Sequence, residues 1–209
     1  MSRRYPGRLI ALEGIDGCGK STQARLLADH LGADLTFEPG ATALGGSLRR
    51  LLLDPALPAV TGRAEALLMA ADRAQHVDET LVPALEAGRW VVTDRFSAST
   101  LAYQGHGRGM DLDQLARLVD WATGGLRPDV NVLVDVPVVV GLERRAGARH
   151  DRFEGLGEAF QQRVADGFRR MVSDDPAAWI VVDGTRTVGE VAAEIRTEVA
   201  RCLGEPNRG

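Results

Sequence analysis

One run of eight residues constrains this chain more than any other: Gly14-Ile15-Asp16-Gly17-Cys18-Gly19-Lys20-Ser21. It follows an apolar segment, Arg8 to Glu13, and opens a helical pattern, Lys20 to Leu31. The spacing is G-x-x-x-x-G-K-[ST], a phosphate-binding loop set between a strand and a helix. Its glycines let backbone N–H groups turn inward around phosphate oxygens, and the helix start adds the positive end of its dipole. Lys20 is placed to bridge the β- and γ-phosphates of a nucleoside triphosphate. The Ser21 hydroxyl is placed to ligate Mg²⁺, and Thr22 is expected among the ATP-binding residues. A Gly-rich turn with no ligand is the plain alternative, and the strand–loop–helix setting argues against it.

Composition sharpens this reading at one point. Of the 25 basic residues, 24 are arginine and only Lys20 is lysine. A compact ammonium and a planar guanidinium are not interchangeable in a tight phosphate cradle. The single lysine therefore marks a position where arginine does not serve.

Elsewhere apolar runs alternate with helical patterns, which predicts an α/β fold with a parallel sheet covered on both faces. The expected strands are Arg8 to Glu13, Asp34 to Phe37, Trp90 to Asp94, Asn131 to Asp135 and Trp179 to Asp183. The expected helices are Lys20 to Leu31, Leu44 to Leu53, Ala64 to Leu85, Leu112 to Ala122, Pro137 to Ala146, Gly157 to Val172 and Val188 to Leu203. In the helix from Ala64, the stripe Ala64, Leu67, Leu68, Ala71 and Ala74 is the expected core face. Met69, Arg73 and His76 lie on a different stripe, which suggests a ligand wall. No linker divides the chain, so residues 1–209 are expected to form one domain.

The segments downstream of the loop carry a resemblance. Glu13 to Gln23 (EGIDGCGKSTQ), Glu38 to Thr42 (EPGAT), Ala70 to His76 (AADRAQH), Thr93 to Phe96 (TDRF), Ser99 to Gly105 (STLAYQG) and Leu142 to Glu154 (LERRAGARHDRFE) occur in this order. In sequence and spacing they resemble the bacterial thymidylate kinases along nearly the whole chain. The resemblance implies a P-loop nucleoside monophosphate kinase fold: a parallel sheet of about five strands, with helices on both faces and a short LID at about residues 142–155. The implied reaction is phosphorylation of dTMP to dTDP, with ATP as donor and Mg²⁺ as cofactor. A homodimer is implied as well. The readings that compete are a P-loop kinase for another deoxynucleotide or a deoxynucleoside, and a non-catalytic nucleotide-responsive regulator.

Residue roles follow from the same resemblance, each beside a physical reading. Asp94 and Arg95 end the third strand, where open α/β sheets bind ligands. Arg95 can offer a bidentate fork to the acceptor phosphate, and Asp94 is an expected Mg²⁺ group acting through water. Arg73 is implied as donor to the thymine carbonyl, beside Met69. Ser99, Tyr103 and Gln104 complete the expected nucleoside pocket, with the Gln104 amide suited to the thymine edge and Tyr103 placed to favour deoxyribose. Asp16 is implied near the sugar 3′-hydroxyl, and Leu52 and Phe37 are expected in the same pocket. With Gly17 and Cys18 in the loop, the chain resembles members whose LID supplies the arginines, so Arg145 and Arg149 are the expected transition-state clamps.

The chain departs from the family pattern at Met69, where phenylalanine is usual, at Phe37, where arginine is frequent, and at Ala41. A formal charge of −4 gives no sign of a nucleic-acid polymer or a membrane surface as partner. Cys18 and Cys202 make neither a disulfide framework nor a metal set. No signal-like N-terminus and no apolar run of roughly 20 residues is present, so a soluble, cytoplasmic protein is expected.

Overall fold

In the computed structural model, which describes residues 5–54, 56–58, 60–146 and 157–204, five parallel strands form one sheet in the order β2-β3-β1-β4-β5. They are β1 (Leu9–Glu13), β2 (Asp34–Phe37), β3 (Val91–Asp94), β4 (Val130–Asp135) and β5 (Trp179–Asp183). Each parallel pair needs a crossover, and helices supply it. They are α1 (Lys20–Leu31), α2 (Ala43–Leu53), α3 (Gly62–His76), α4 (Val82–Glu86), α5 (Ser97–Thr100), α6 (Leu112–Thr123), α7 (Val138–Arg145), α8 (Gly157–Asp174) and α9 (Val188–Leu203).

The period of two along β1 divides the core. Ile10 and Leu12 pack into one apolar cluster with residues of α1, α8 and α9. Leu9 and Ala11 point the other way, into a second cluster with Val77, Leu81, Ala84 and Leu85. Both faces of the sheet are thereby covered by helices, and β1 is buried along its whole length. Local signals set several helix ends. Thr42 and Asp111 cap α2 and α6, and Thr187 with Glu190 forms a capping box at α9.

Two segments differ from the sequence expectation. The long helix expected over Ala64 to Leu85 is α3 and α4, joined by a π-helical stretch, Val77–Leu81. Residues Ser97 to Gly107, to which the sequence assigned no element, form α5 continued by π-helical Leu101–Gly107. Ser, Thr and Gly are weak helix formers, so propensity gives no signal there; tertiary packing against α8 supplies the stability. π-helical insertions are frequent at functional sites, and this one carries Tyr103 and Gln104.

The expected core face of α3 is also turned. Leu67 is 54% exposed, whereas Arg73 and His76 are 2% and 1% exposed. The inward face lies over buried polar groups of β2 and the Phe96 turn, so it carries partnered polar side chains. A pattern that equates apolar with buried fails on such a face. No described helix is long and apolar enough to cross a membrane.

Candidate active site at the carboxyl ends of the strands

The loop after β1 has left-handed backbone at Gly17 and Gly19, a conformation glycine adopts without strain. Gly17 is needed twice over, because a Cβ there would stand 2.2 Å from the Gly141 carbonyl oxygen of α7. Lys20, 6% exposed, donates to the Ile15 carbonyl at 3.2 Å and lies 3.6 Å from Asp16 Oδ1. Ser21 and Thr22 open α1 beside it. Burial pushes the Cys18 thiol upward, which keeps it protonated and a poor nucleophile.

β3 ends in Asp94, and Arg95 follows with φ 74, a left-handed conformation that is strained for a residue with a Cβ. The surroundings hold it there. The Arg95 backbone N–H donates to Leu12 O at 2.9 Å, and Thr93 Oγ1 donates to the Arg95 carbonyl at 2.8 Å. Its guanidinium donates to Asp16, to Ser99 Oγ at 3.1 Å and to the Tyr103 hydroxyl at 3.2 Å, and its Cζ lies 4.9 Å from the centre of the Tyr103 ring. Glu13 secures the same turn from β1. Its Oε1 accepts from the backbone N–H of Phe96 at 2.9 Å and of Ser99 at 3.3 Å, and its Oε2 accepts from Ser99 Oγ at 2.6 Å. Glu13 thus does for the start of α5 what a capping side chain would do, since Phe96 has none to offer. Burial pushes the Glu13 carboxyl up to about 7, against the Ser99 hydrogen bond and the Arg95 charge.

Asp16 is the meeting point. Burial alone would raise its pKa, but Arg95, Lys20 and Arg145 outweigh that and hold it well below the usual carboxylate range. Arg145, at the end of α7, approaches Asp16 Oδ2 to 3.7 Å. Three cations therefore converge on one carboxylate between the loop and the end of β3.

Beyond Asp16 opens a cavity with about 610 Å³ of empty space, its mouth included. Of the residues expected there, Asp16, Met69, Arg73, Arg95, Ser99, Tyr103 and Gln104 line it. Arg73 is fixed by three acceptors: Glu38 Oε2 at 2.8 Å, Thr100 Oγ1 at 2.8 Å and the Phe96 carbonyl at 2.9 Å. Glu38 is held in turn by His76 Nδ1 at 2.9 Å, whose Nε2 pairs with Thr36 Oγ1 at 2.7 Å.

Two expected residues are placed elsewhere. Leu52 is buried but does not line the cavity; Leu53 does, because one residue along a helix turns the side chain by about 100°. Phe37 is 44% exposed at the end of β2, with the Arg49 guanidinium 5.9 Å from its ring centre. Arg49 itself reaches the cavity from α2 and donates to Pro39 O at 2.7 Å. The side chain of Asp94 keeps a buried Oδ1 with no hydrogen-bond partner among the described residues. Arg149 lies outside the described residues, as does the LID from 147 to 155.

A second cavity lies on the other side of the loop, lined by Cys18, Gly19, Thr22, Arg144 and Arg186 among others. Arg144 donates to the Gly184 carbonyl at 2.9 Å. Sequence reading gave a role to neither Arg144 nor Arg49, because each stands beside a second arginine and local spacing does not say which of the two faces a cavity. On a helix neighbours diverge, so Arg144 faces this cavity while Arg145 faces Asp16.

A phosphate loop between two cavities, one lined by a charged fork and one beside the loop's outer flank, defines a P-loop kinase that joins a nucleotide donor to a phosphorylated acceptor. The comparisons name the family. Residues 12–195 match the family model described as Thymidylate kinase. A thymidylate kinase of Synechococcus sp. (strain CC9902) is 50% identical over 94% of this chain and 99% of its own. One of Cupriavidus necator is 45% identical over 93% and 98%. The crystal structure of thymidylate kinase from Ehrlichia chaffeensis superposes with a TM-score of 0.76 at 30% identity, covering 92% of this chain and 98% of that one. The chain belongs to the thymidylate kinase family, and its reaction is the ATP-dependent phosphorylation of dTMP to dTDP.

Proposed function

We propose that Lys20, Arg95 and Arg145 share the charge of the phosphoryl group in transfer, with Asp16 holding their places until the nucleotides arrive. The observation that carries this reading is the convergence of the three cations on the Asp16 carboxylate. An oxygen of the dTMP phosphate attacks the γ-phosphorus of ATP, the bond to the β-phosphate oxygen breaks, and ADP leaves. No covalent enzyme intermediate is needed, because positioning and charge neutralisation suffice. Gly14 to Thr22 bind the triphosphate through backbone N–H groups, with Lys20 on the β- and γ-phosphates. Arg95 holds the acceptor phosphate, and Arg149, outside the described residues, shares the clamping role given to Arg145. Met69 packs on the base, Arg73 and Gln104 read its edge, and Ser99 and Tyr103 enclose the sugar and phosphate.

Mg²⁺ suits the donors present. The Ser21 hydroxyl and the orphaned Asp94 Oδ1 are hard oxygens, and Mg²⁺ takes one or two protein groups and completes its shell with water and phosphate. Held by these two residues, Mg²⁺ would supply charge neutralisation to the triphosphate.

A homodimer fits the turned face of α3. Leu67 on α3 is 54% exposed, and Leu44 and Leu51 on α2 with Leu112 and Trp121 on α6 are exposed as well. α3 packs against both α2 and α6, so these side chains lie on adjoining helices, as an interface of apolar core and polar rim requires. A cytoplasmic location is part of the same reading.

Lys20→Arg tests the catalytic assignment. It is expected to keep the thermal midpoint within a few degrees and lose at least about a hundredfold in kcat, because the larger fork does not fit a cradle sized for an ammonium. A folded variant with near wild-type kcat would overturn the role given to Lys20.

A further inference from the structure

Glu65, in the first turn of α3, is 2% exposed and takes no part in the chemistry described above. Its Oε1 accepts from Gln104 Nε2 at 2.9 Å and from Arg108 Nε at 2.9 Å, and its Oε2 accepts from an Arg108 terminal nitrogen at 2.6 Å. A carboxylate held by a guanidinium fork has only lone pairs to offer. The Gln104 amide must therefore turn its nitrogen toward Glu65. Gln104 lines the nucleoside cavity, and its own Oε1 makes no hydrogen bond to a described residue. The oxygen is then what the amide presents to a ligand.

A primary amide rotated by half a turn has nearly the same shape and the opposite polarity, so shape alone does not choose between the two orientations. We propose that Glu65 is a positioning residue that sets the hydrogen-bond polarity of the base pocket by forcing Gln104 to accept. Arg73 supplies the complement: Glu38, Thr100 and the Phe96 carbonyl fix its guanidinium, which can only donate. An acceptor beside a donor matches a pyrimidine that carries N–H at ring position 3 next to a carbonyl at position 4. It opposes a pyrimidine with a bare ring nitrogen next to an amino group. Buried polar groups left unpaired make such a mismatch costly. The inference rests on the reading of Gln104 as a base-reading residue.

Steady-state kinetics of the full chain with ATP and Mg²⁺, using dTMP, dUMP and dCMP as acceptors, test it. In Glu65→Gln the side chain opposite Gln104 can accept or donate, so the Gln104 amide is free to turn. The ratio of kcat/KM for dTMP over dCMP is expected to fall at least about tenfold, mostly through KM for dTMP. The dTMP over dUMP ratio is expected to stay within about twofold, since the amide does not read the 5-methyl group. General loosening of the pocket would move both ratios. Should Glu65→Gln fail to fold, Glu65→Asp keeps the charge for Arg108 but draws the carboxylate back, and the same dTMP over dCMP loss is expected. In a Gln104→Ala background, Glu65→Gln should add nothing to either ratio. If Gln104→Ala leaves KM for dTMP unchanged, the base-reading assignment itself is wrong. If Gln104→Ala raises it and folded Glu65→Gln keeps the dTMP over dCMP ratio, the role of Glu65 alone is overturned.

Discussion

Arg145 Nη1 of α7 stands 3.7 Å from Asp16 Oδ2 of the phosphate loop, and Asp16 also holds the Arg95 guanidinium. α7 can come so near because Gly17 and Gly141 face each other without side chains; a Cβ on Gly141 would lie 2.8 Å from the Asp16 carbonyl. An arginine clamp delivered from the loop at position 17 is thereby excluded, and one from the end of α7 is favoured.

Arg145→Ala should consequently lower kcat by about 10³-fold or more, the range in which single arginine clamps act in phosphoryl transfer. KM for dTMP should change less than about threefold, because the interaction belongs to the transition state. Single-turnover kinetics with equilibrium dTMP binding check the division. A rise in KM with kcat unchanged would make Arg145 a ground-state binding residue instead.

Met69 lines the cavity where an aromatic ring is usual in the family. A ring stacked on a base contributes about 1–3 kcal/mol, and a thioether against an aromatic ring about 0.3–1.5 kcal/mol. Met69→Phe is expected to lower KM for dTMP several-fold with kcat little changed, and Met69→Ala to raise it by more. Michaelis curves for the two variants decide it. No movement of KM in either would make Met69 a packing residue.

The five strand segments and the phosphate loop were legible in the sequence because each depends on local spacing, whereas most of the residues that line the cavity beside Asp16 were brought together by the family resemblance. The Lys20 cradle is set by glycines within one turn, and Arg95 by its place at a strand end. On α3, Met69 and Arg73 were legible as a ligand wall, but the burial of a polar inward face was not. Its buried side chains include Glu65, Asp72, Arg73 and His76, and each is tolerable only through a partner distant in sequence: Gln104 and Arg108 for Glu65, the Gly40 N–H for Asp72, Glu38 for Arg73 and His76. Periodicity counts apolar positions and has no means of seeing such partners. Arg49 and Leu53 were missed for a related reason, since neighbouring residues on α2 point in different directions and nothing local says which faces the cavity.

Glu13 gives the chain a pH dependence of defined sign. Burial raises its carboxyl from the ordinary 4.5 to about 7, so between those values the folded chain keeps a proton that the unfolded chain has released. The stabilisation is complete below about pH 4.5 and is lost as pH rises through 7, by about 3 kcal/mol in all. Glu13→Gln, which still accepts the Phe96 and Ser99 N–H groups, has no such charge to bury. Thermal melts at about pH 5 and pH 8 should show the wild type losing several degrees more than the variant. Equal losses in the two proteins would place the pH dependence elsewhere.

The central claim is that two nucleotide sites meet across Asp16 and that the acceptor is dTMP. Its most direct test is ADP release by the purified protein with ATP and Mg²⁺, measured with dTMP, dUMP, dCMP, dGMP and thymidine as separate acceptors. Three cations at one carboxylate suit an acceptor that brings its own phosphate, and the Arg73–Gln104 pair suits thymine. The account predicts that dTMP has the highest kcat/KM, with one ADP released per dTDP formed, and that thymidine is not turned over. Faster turnover of another acceptor, or no ADP release with any of them, would contradict it.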